Sequence, residues 1–378
     1  MRMVPLGEVA TIERTGVDPT VLDRDTPYLG LEHIESGGPI REYSSIGRAE
    51  LTSTKFRFNE RQVLFGKLRP NLGKIARPDR AGVCSTDILP ITPSKHLDRG
   101  YLAHYLSQPP MVAFAASRTS GANLPRLSPR VLATFEVPLP NIEEQRRIAA
   151  ILDKADAIRA KRRQVLAHLD ALIQSIFHDM FGDPRTNSRQ SDLISLKELG
   201  VLERGVSRHR PRNDPLLLGG PYPLIQTGDV ARSRWVITDF SSTYSEAGLR
   251  QSRMWPAGTL CITIAANIAD TARLGFDACF PDSVVAFTAS PEVTTYVQAW
   301  LGLMQREMER VAPQSAQRNI NLRILRDTLV PRPSGRDLNT FHRLVEEVLT
   351  MRQSMLLAEA QEADLHASLQ SRAFKGEL

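Results

Sequence analysis

Two kinds of loop in this sequence carry side chains able to bond the edges and phosphates of a duplex. In "FGKLRPNLGKIARPDR", turn-forming glycines and prolines alternate with Lys67, Arg69, Asn71, Lys74 and Arg77. Arg or Lys can donate to the acceptors of guanine, and Asn can pair with adenine. The alternative is a solvated loop with no partner. A corresponding stretch later in the chain, "TIAANIADTAR", keeps only Asn267 and Arg273 of such groups. The second kind is "SRTSGANLPR", with Arg118, Asn123 and Arg126, and "APQSAQRNINLR", with Arg318, Asn319 and Asn321. Loops so rich in donors suit phosphate and base-edge contacts, and equally suit plain connection. "RGVSRHRPR" adds a basic cluster with Arg208, Arg210 and Arg212. Aromatic residues are 6% of the chain, which favours duplex readout over stacking on single strands.

Catalytic constellations are missing from the pattern. There is no G-x-x-x-x-G-K-[ST] for a phosphate loop and no G-x-S-x-G elbow. A metal-dependent nuclease of the common type needs an acidic residue two before a lysine. None of the eight lysines has one. "QPPM" at Gln108 to Met111 lacks both the Asn/Asp and the aromatic that an amino-methyltransferase motif requires. The eight histidines include no HExxH, and the three cysteines, Cys84, Cys261 and Cys279, form no CxxC. No metal and no cofactor are therefore expected, and three cysteines, which leave one unpaired, fit a reducing cytosol. No secretory leader or membrane span is expected either, since Met1 to Val17 lacks an apolar core and no run of eighteen apolar residues occurs.

The formal charge is +6, which permits a nucleic-acid partner without requiring one. Arginine dominates the basic residues, as phosphate and base recognition would favour; a GC-rich genome gives the same bias. Residues 1–140 hold 18 basic and 14 acidic side chains and residues 182–335 hold 18 and 15. The basic excess thus lies in these two parts and not in the segments between and after them.

Those segments are long helices. "EEQRRIAAILDKADAIRAKRRQVLAHLDALIQSIF" is entered through "VPLPN", with Asn141 as N-cap and Glu143 and Glu144 in the first turn, and stops at "MFGDP". A 3,4 spacing of Ile148, Ile151, Ala155, Ile158, Arg162, Val165, Leu169, Leu172 and Ile176 predicts a heptad seam. A second seam follows "VPRPSGRD", through Leu344, Val348, Met351, Met355, Ala358, Glu362, Leu365 and Leu369. A single amphipathic helix cannot bury its stripe alone, so the two are expected to pair. Arg162 and Glu362 are the charged residues on the two seams; they either snorkel outward or form a register-setting pair.

The repeated V-P-x-P entry signals a duplicated chain. "PLGEVATIERTG" aligns with "SLKELGVLERG", Cys84 and Asp87 with Cys279 and Asp282, Tyr101 with Tyr296, and "SGANLPRL" with "SAQRNINL". The offset stays between 190 and 196 residues throughout. The expected organisation is a β-rich globular part with helices at 1–140, a helix at 141–181, a second globular part at 182–335 and a helix at 336–378.

The run "VPLPNIEEQRRIAAILDKADAIRAKRRQVLAHLDALIQSIFHDMFGDP" resembles the central conserved region of type I restriction–modification specificity subunits. "ASLQSRAFKGEL" is similar to the end of their second conserved region. The resemblance implies an α+β fold with a pseudo-twofold internal repeat: two target recognition domains held apart by an antiparallel two-helix coiled coil. It implies that each domain reads one half of a bipartite, asymmetric duplex site, that the chain itself is not an enzyme, and that it acts in the cytoplasm. The implied partners are duplex DNA, two methyltransferase subunits and, in the full complex, restriction/translocase subunits. The face from Glu143 and Arg146 outward to Asp179 is the expected docking surface for the methyltransferases. Ile148 to Ile176 would measure roughly 43 Å at about 1.5 Å per residue, or on the order of 12 base pairs at about 3.4 Å each. Helix length would then set the gap between half-sites. The competing expectation is a non-enzymatic coiled-coil adaptor that binds protein instead of DNA.

Overall fold

The computed structural model describes residues 2–233, 235–265, 268–311 and 320–377. The chain divides into two units: Met1–Arg163 with Leu357–Leu378, and Gln164–Leu356. The fold is α+β in both.

In the first unit, strand Met3–Pro5 pairs antiparallel with Glu136–Pro138, Val4 opposite Val137. Pro5 and Pro138 lack the N–H that would carry this ladder further. A four-stranded antiparallel sheet runs in the order Ala10–Ile12, Ile88–Pro93, Val63–Gly66, Ile75–Ala76. Its strands read as apolar runs because both faces are covered. Val63, Phe65, Leu89 and Ile91 face a core with Tyr101, Leu102 and Leu106. Leu64 and Ile88, pointing the other way, join Leu29, Phe58 and Cys84. Helix Arg99–Ser107 packs on the first face, its N-terminus capped by the Asp98 side chain accepting from Tyr101 N at 2.9 Å.

The second unit repeats this plan. Strand Leu193–Ser195 pairs with Leu329–Pro331, Ile194 opposite Val330. A sheet ordered Val201–Arg204, Val284–Thr288, Leu260–Thr263, Thr271–Leu274, Val236–Ile237 takes the place of the four-stranded one. Two details show that the units are copies. The buried Tyr101 hydroxyl donates to Pro138 O at 2.8 Å, and the buried Tyr296 hydroxyl donates to Pro331 O at 2.8 Å. Arg77 pairs with Asp153 at 2.5 Å, and Arg273 pairs with Glu346 at 2.7 Å.

The long helices span Ile142–Phe181 and Gly335–Lys375. Asn141 caps the first by accepting from Glu144 N at 2.8 Å, and Ser334 caps the second by accepting from Asp337 N at 3.2 Å. Gly182 and Gly376, both at φ +81°, follow their ends, where a left-handed residue frees the chain from the helix. The compact units cut across the boundaries expected at 140, 181 and 335: each takes the start of one helix and the end of the other.

Within each unit the helical segments run antiparallel. In the first, Asp156 meets His366 at 3.0 Å and Arg162 meets Glu362 at 2.7 Å. Phe374 packs its ring 5.0 Å from Tyr101 and 5.3 Å from Tyr105. In the second, Asp170 meets Arg352 at 3.1 Å, and Phe177 packs on Phe341 and stacks on Tyr296. The charged seam residues Arg162 and Glu362 therefore face one another.

The apolar seams need correction. Ile158, Val165, Leu172, Met351 and Leu365 face solvent. Ile148 and Val348 are buried, and Ile151, Leu169, Ile176, Leu344, Met355 and Leu369 are half-buried. A straight helix drifts about 20° per heptad from a strict 3.5-residue stripe. The inward face is chosen instead by each globular core, which takes Gln145, Ile148, Ala149 and Leu152, or Phe341, Val345 and Val348. Between these contacts the inward positions hold Asp156, Arg162 and His366, or Asp170 and Arg352, in ion pairs that a search for apolar periodicity passes over. Gln145 is fully buried yet satisfied, donating to His96 O and Pro140 O and accepting from Asp98 N.

Arg162→Leu should lower unfolding stability by about 1–2 kcal/mol, because it leaves the partly buried Glu362 charge unmatched. Arg162→Leu with Glu362→Leu should lose less than the two single changes added. A double-mutant cycle in urea with zero coupling would sink the pairing role. A second expectation concerns pH. Burial alone would raise the Asp153 carboxyl, but hydrogen bonds from His104 and Arg77 outweigh it and hold the group far below the carboxylate range. With the folded value depressed, Asp153 contributes stability above the unfolded value of about 4 and loses it as pH falls toward the folded one. The difference in urea midpoint between wild type and Asp153→Asn should be greatest near neutrality and shrink below pH ~4.

Candidate nucleic-acid interface

Strand Val63–Gly66 reverses at Gly66, where an added Cβ would come within 3.0 Å of Lys74 O. The loop that follows is tied down by its backbone. Lys67 N donates to Asp87 O at 2.9 Å, and Arg69 N to Pro125 O at 2.8 Å. Arg69 sits in the left-handed region at φ +50°, Pro70–Leu72 makes one 3-10 turn, and Gly73 at φ +57° closes it. This conformation presents Arg69 and Asn71 to solvent and leaves Lys67 half-buried.

The other candidate loop of this unit joins the first. Leu68 bridges Arg126, Ser120 bridges Arg126, and Leu127 N donates to Lys67 O at 2.9 Å. The two stretches singled out separately in the sequence thus form one lobe. Arg118 and Asn123 are exposed on it, Arg118 lying 5.0 Å from the Phe114 ring. The Arg126 guanidinium forms two bonds to Asp87, at 2.8 and 3.2 Å. That carboxylate also holds Arg126 more firmly protonated than an ordinary arginine.

Lys74 and Arg77 are placed differently. Lys74 Nζ donates to Leu31 O at 2.6 Å, inside the unit. Arg77 donates through both terminal nitrogens to Asp153 on the long helix, where His104 Nε2 lies 2.8 Å from the same carboxylate. These two cations position the loop and the helix, and the exposed Arg69, Asn71, Arg118 and Asn123 are what a ligand would meet.

In the second unit, Ile320 N donates to Ile264 O at 3.1 Å, the counterpart of the Leu127–Lys67 bond. Asn267, Arg318 and Asn319 lie outside the described residues. Asn321 caps helix Leu322–Asp327 by accepting from Ile324 N at 2.9 Å, as Ser128 caps Pro129–Ala133 in the first unit. The side chains of the basic cluster are exposed. Arg208 N and His209 N share Gln251 Oε1 at 2.7 and 3.1 Å. Arg210 donates to Ser207 O, His209 O and Asp282, and Arg212 donates to the other oxygen of Asp282.

Asp87 and Asp282 are functional candidates that the composition of the loops does not single out. The signal was their shared Cys-x-x-Asp spacing in both copies, Cys84 to Asp87 and Cys279 to Asp282. The cysteines themselves are buried and unpaired. Burial pushes the Cys84 thiol up to about 12, so these groups are inert packing. Among the described residues no group of His, Cys, Asp or Glu has the arrangement of a metal site, and no helix is long and apolar enough to cross a membrane. The surface that remains is basic, donor-rich and exposed, which is the chemistry of phosphate and base-edge contact.

Arg69→Gly separates fold from binding. It relieves a left-handed backbone, whose cost in non-glycine residues is about 1–3 kcal/mol, and removes the guanidinium. The melting temperature should not fall while affinity for duplex drops; equal affinity would remove Arg69 from the interface.

Known proteins resemble this chain in sequence and in fold. Residues 1–168 match the family model described as the type I restriction modification DNA specificity domain. The chain is 30% identical over 179 residues to the specificity subunit of the type I restriction enzyme EcoDI of Escherichia coli. That match covers 45% of this chain and 40% of the relative, so the chain spans less than half the length of that curated relative. A chain in a structure on complex assembly and conformational transition of the type I R-M system is 18% identical. There the match covers 100% of this chain and 98% of that one, at a TM-score of 0.60. The S subunit of a type I restriction–modification system from M. genitalium is 12% identical over 99% and 96% of the two chains, at a TM-score of 0.62. At these identities the structural likeness is one of fold.

Proposed function

We propose, from the match of residues 1–168 to the model of the type I restriction modification DNA specificity domain, that the whole chain is the specificity subunit of a type I restriction–modification complex. Each unit reads one half of a bipartite, asymmetric site in duplex DNA. The chain does no chemistry of its own; it carries two methyltransferase subunits and, in the full complex, restriction/translocase subunits.

The observation that carries this reading is the duplication of the unit. The family model covers the first copy, and the second has the same tyrosine-to-proline bond and the same arginine-to-helix ion pair. A reader of one short sequence needs one such module. Two modules with the same scaffold and different loops suit two half-sites of different sequence. The exposed side chains differ accordingly: Arg69, Asn71, Arg118 and Asn123 in the first, and the Arg208–Arg212 cluster in the second.

The long helices then set the gap between half-sites, and two like starts, each after a V-P-x-P element, suit two copies of one methyltransferase. Methylome sequencing of a strain with and without this gene should show a bipartite motif that depends on it. Loss of the gene without change in any methylated motif would favour a protein-binding adaptor. Removing one heptad from each helix should shorten the gap by roughly three base pairs, from about 10.5 Å of helix over about 3.4 Å per pair. An unchanged gap in the recovered motif would refute the ruler.

A further inference from the structure

Asp87 and Asp282 stand at the same place in the two copies, and each holds arginine. The arginines come from different segments. Arg126 arrives from the loop before helix Pro129–Ala133, whereas Arg210 and Arg212 arrive from the loop after strand Val201–Arg204. An acid kept at one position, with cations recruited from elsewhere in each copy, points to the location as the thing retained.

The second copy is the more informative. One carboxylate there faces two guanidinium groups, and Arg208 is exposed in the same loop. Arg210 is 53% exposed, Arg212 44% and Asp282 34%. Pairs this open contribute little to stability, and Asp282 together with Asp214, which pairs with His209, still leaves the three arginines of the cluster with a positive excess. Two guanidinium groups that each donate to a different carboxylate oxygen can donate in the same way to two oxygens of a phosphate.

We propose that Asp282 is an internal stand-in for a DNA backbone phosphate: Arg210 and Arg212 receive a phosphate of the duplex, which displaces the carboxylate. Asp87 with Arg126 is the corresponding station of the first copy. The proposal rests on the reading of the chain as a duplex-binding subunit. Because the carboxylate must be displaced wherever the protein lands, it weakens binding to every duplex. Only sites that add base contacts overcome that competition.

The test uses the full chain in complex with its methyltransferase partner. The probes are a duplex carrying the motif recovered by methylome sequencing and a scrambled duplex, each titrated over a salt series. Asp282→Asn should tighten binding to both duplexes several-fold. Arg210→Gln with Arg212→Gln should weaken both by the same factor and reduce the slope of log K against log salt by about one for each phosphate no longer bound. A carboxylate that merely shapes the loop predicts weaker binding for Asp282→Asn. That outcome, or an unchanged salt slope in the arginine variant, overturns the proposal. Should Asp282→Asn fail to fold, as judged by its urea midpoint, the arginine variant's slope decides. If the wild-type complex does not distinguish the motif from the scrambled duplex, it is the specificity reading that fails instead.

Discussion

A buried tyrosine hydroxyl needs an acceptor, and in each unit it finds the carbonyl of the first proline in a Val-Pro-x-Pro element. Leaving such a hydroxyl unpaired would cost about 1–3 kcal/mol. The bond from Tyr101 to Pro138, or from Tyr296 to Pro331, fixes where the last strand of the globular part gives way to the long helix. Proline ends the ladder there, the next turn caps the helix, and the helix axis is set by what its first turns can bury. Arg77 with Asp153 and Arg273 with Glu346 then lock the early turns of each helix to the same globular part.

That constraint explains why the candidate interface is held from behind. The loop with Arg69 and Asn71 begins at a strand whose inner face packs on the helix bearing Tyr101, and it ends near Arg77, which is committed to the long helix. The second loop, with Arg118 and Asn123, returns into Ser128 and the strand that carries Pro138. Exposed donors on short, tied loops lose little conformational entropy on binding, which is what the proposed readout of base edges calls for.

The polar layer between the helices has a different physical basis. Arg162 with Glu362 and Arg352 with Asp170 are about one-fifth exposed. Ion pairs so placed add modestly to stability but penalise every alternative register that separates them. The apolar residues that a heptad reading would have put there, Ile158, Val165 and Leu172, lie on the open side.

Much was present in the sequence alone. The duplication, the prolines and caps that bound the helices, and the family resemblance all follow from local pattern, because caps, breakers and repeats act over a few residues. The candidate loops were also visible as composition. Folding was needed to join the loop of Arg69 to the loop of Asn123, since backbone bonds between residues nearly sixty positions apart, Arg69 to Pro125 and Lys67 to Leu127, leave no local trace. Tertiary contact likewise separated Lys74 and Arg77, consumed by Leu31 O and Asp153, from their exposed neighbours. It set the true inward face of the helices, because a helix bound to a globular core turns toward that core's apolar cavity rather than toward its own most regular stripe. And it revealed Asp282 between two arginines, which the sequence places some seventy residues away.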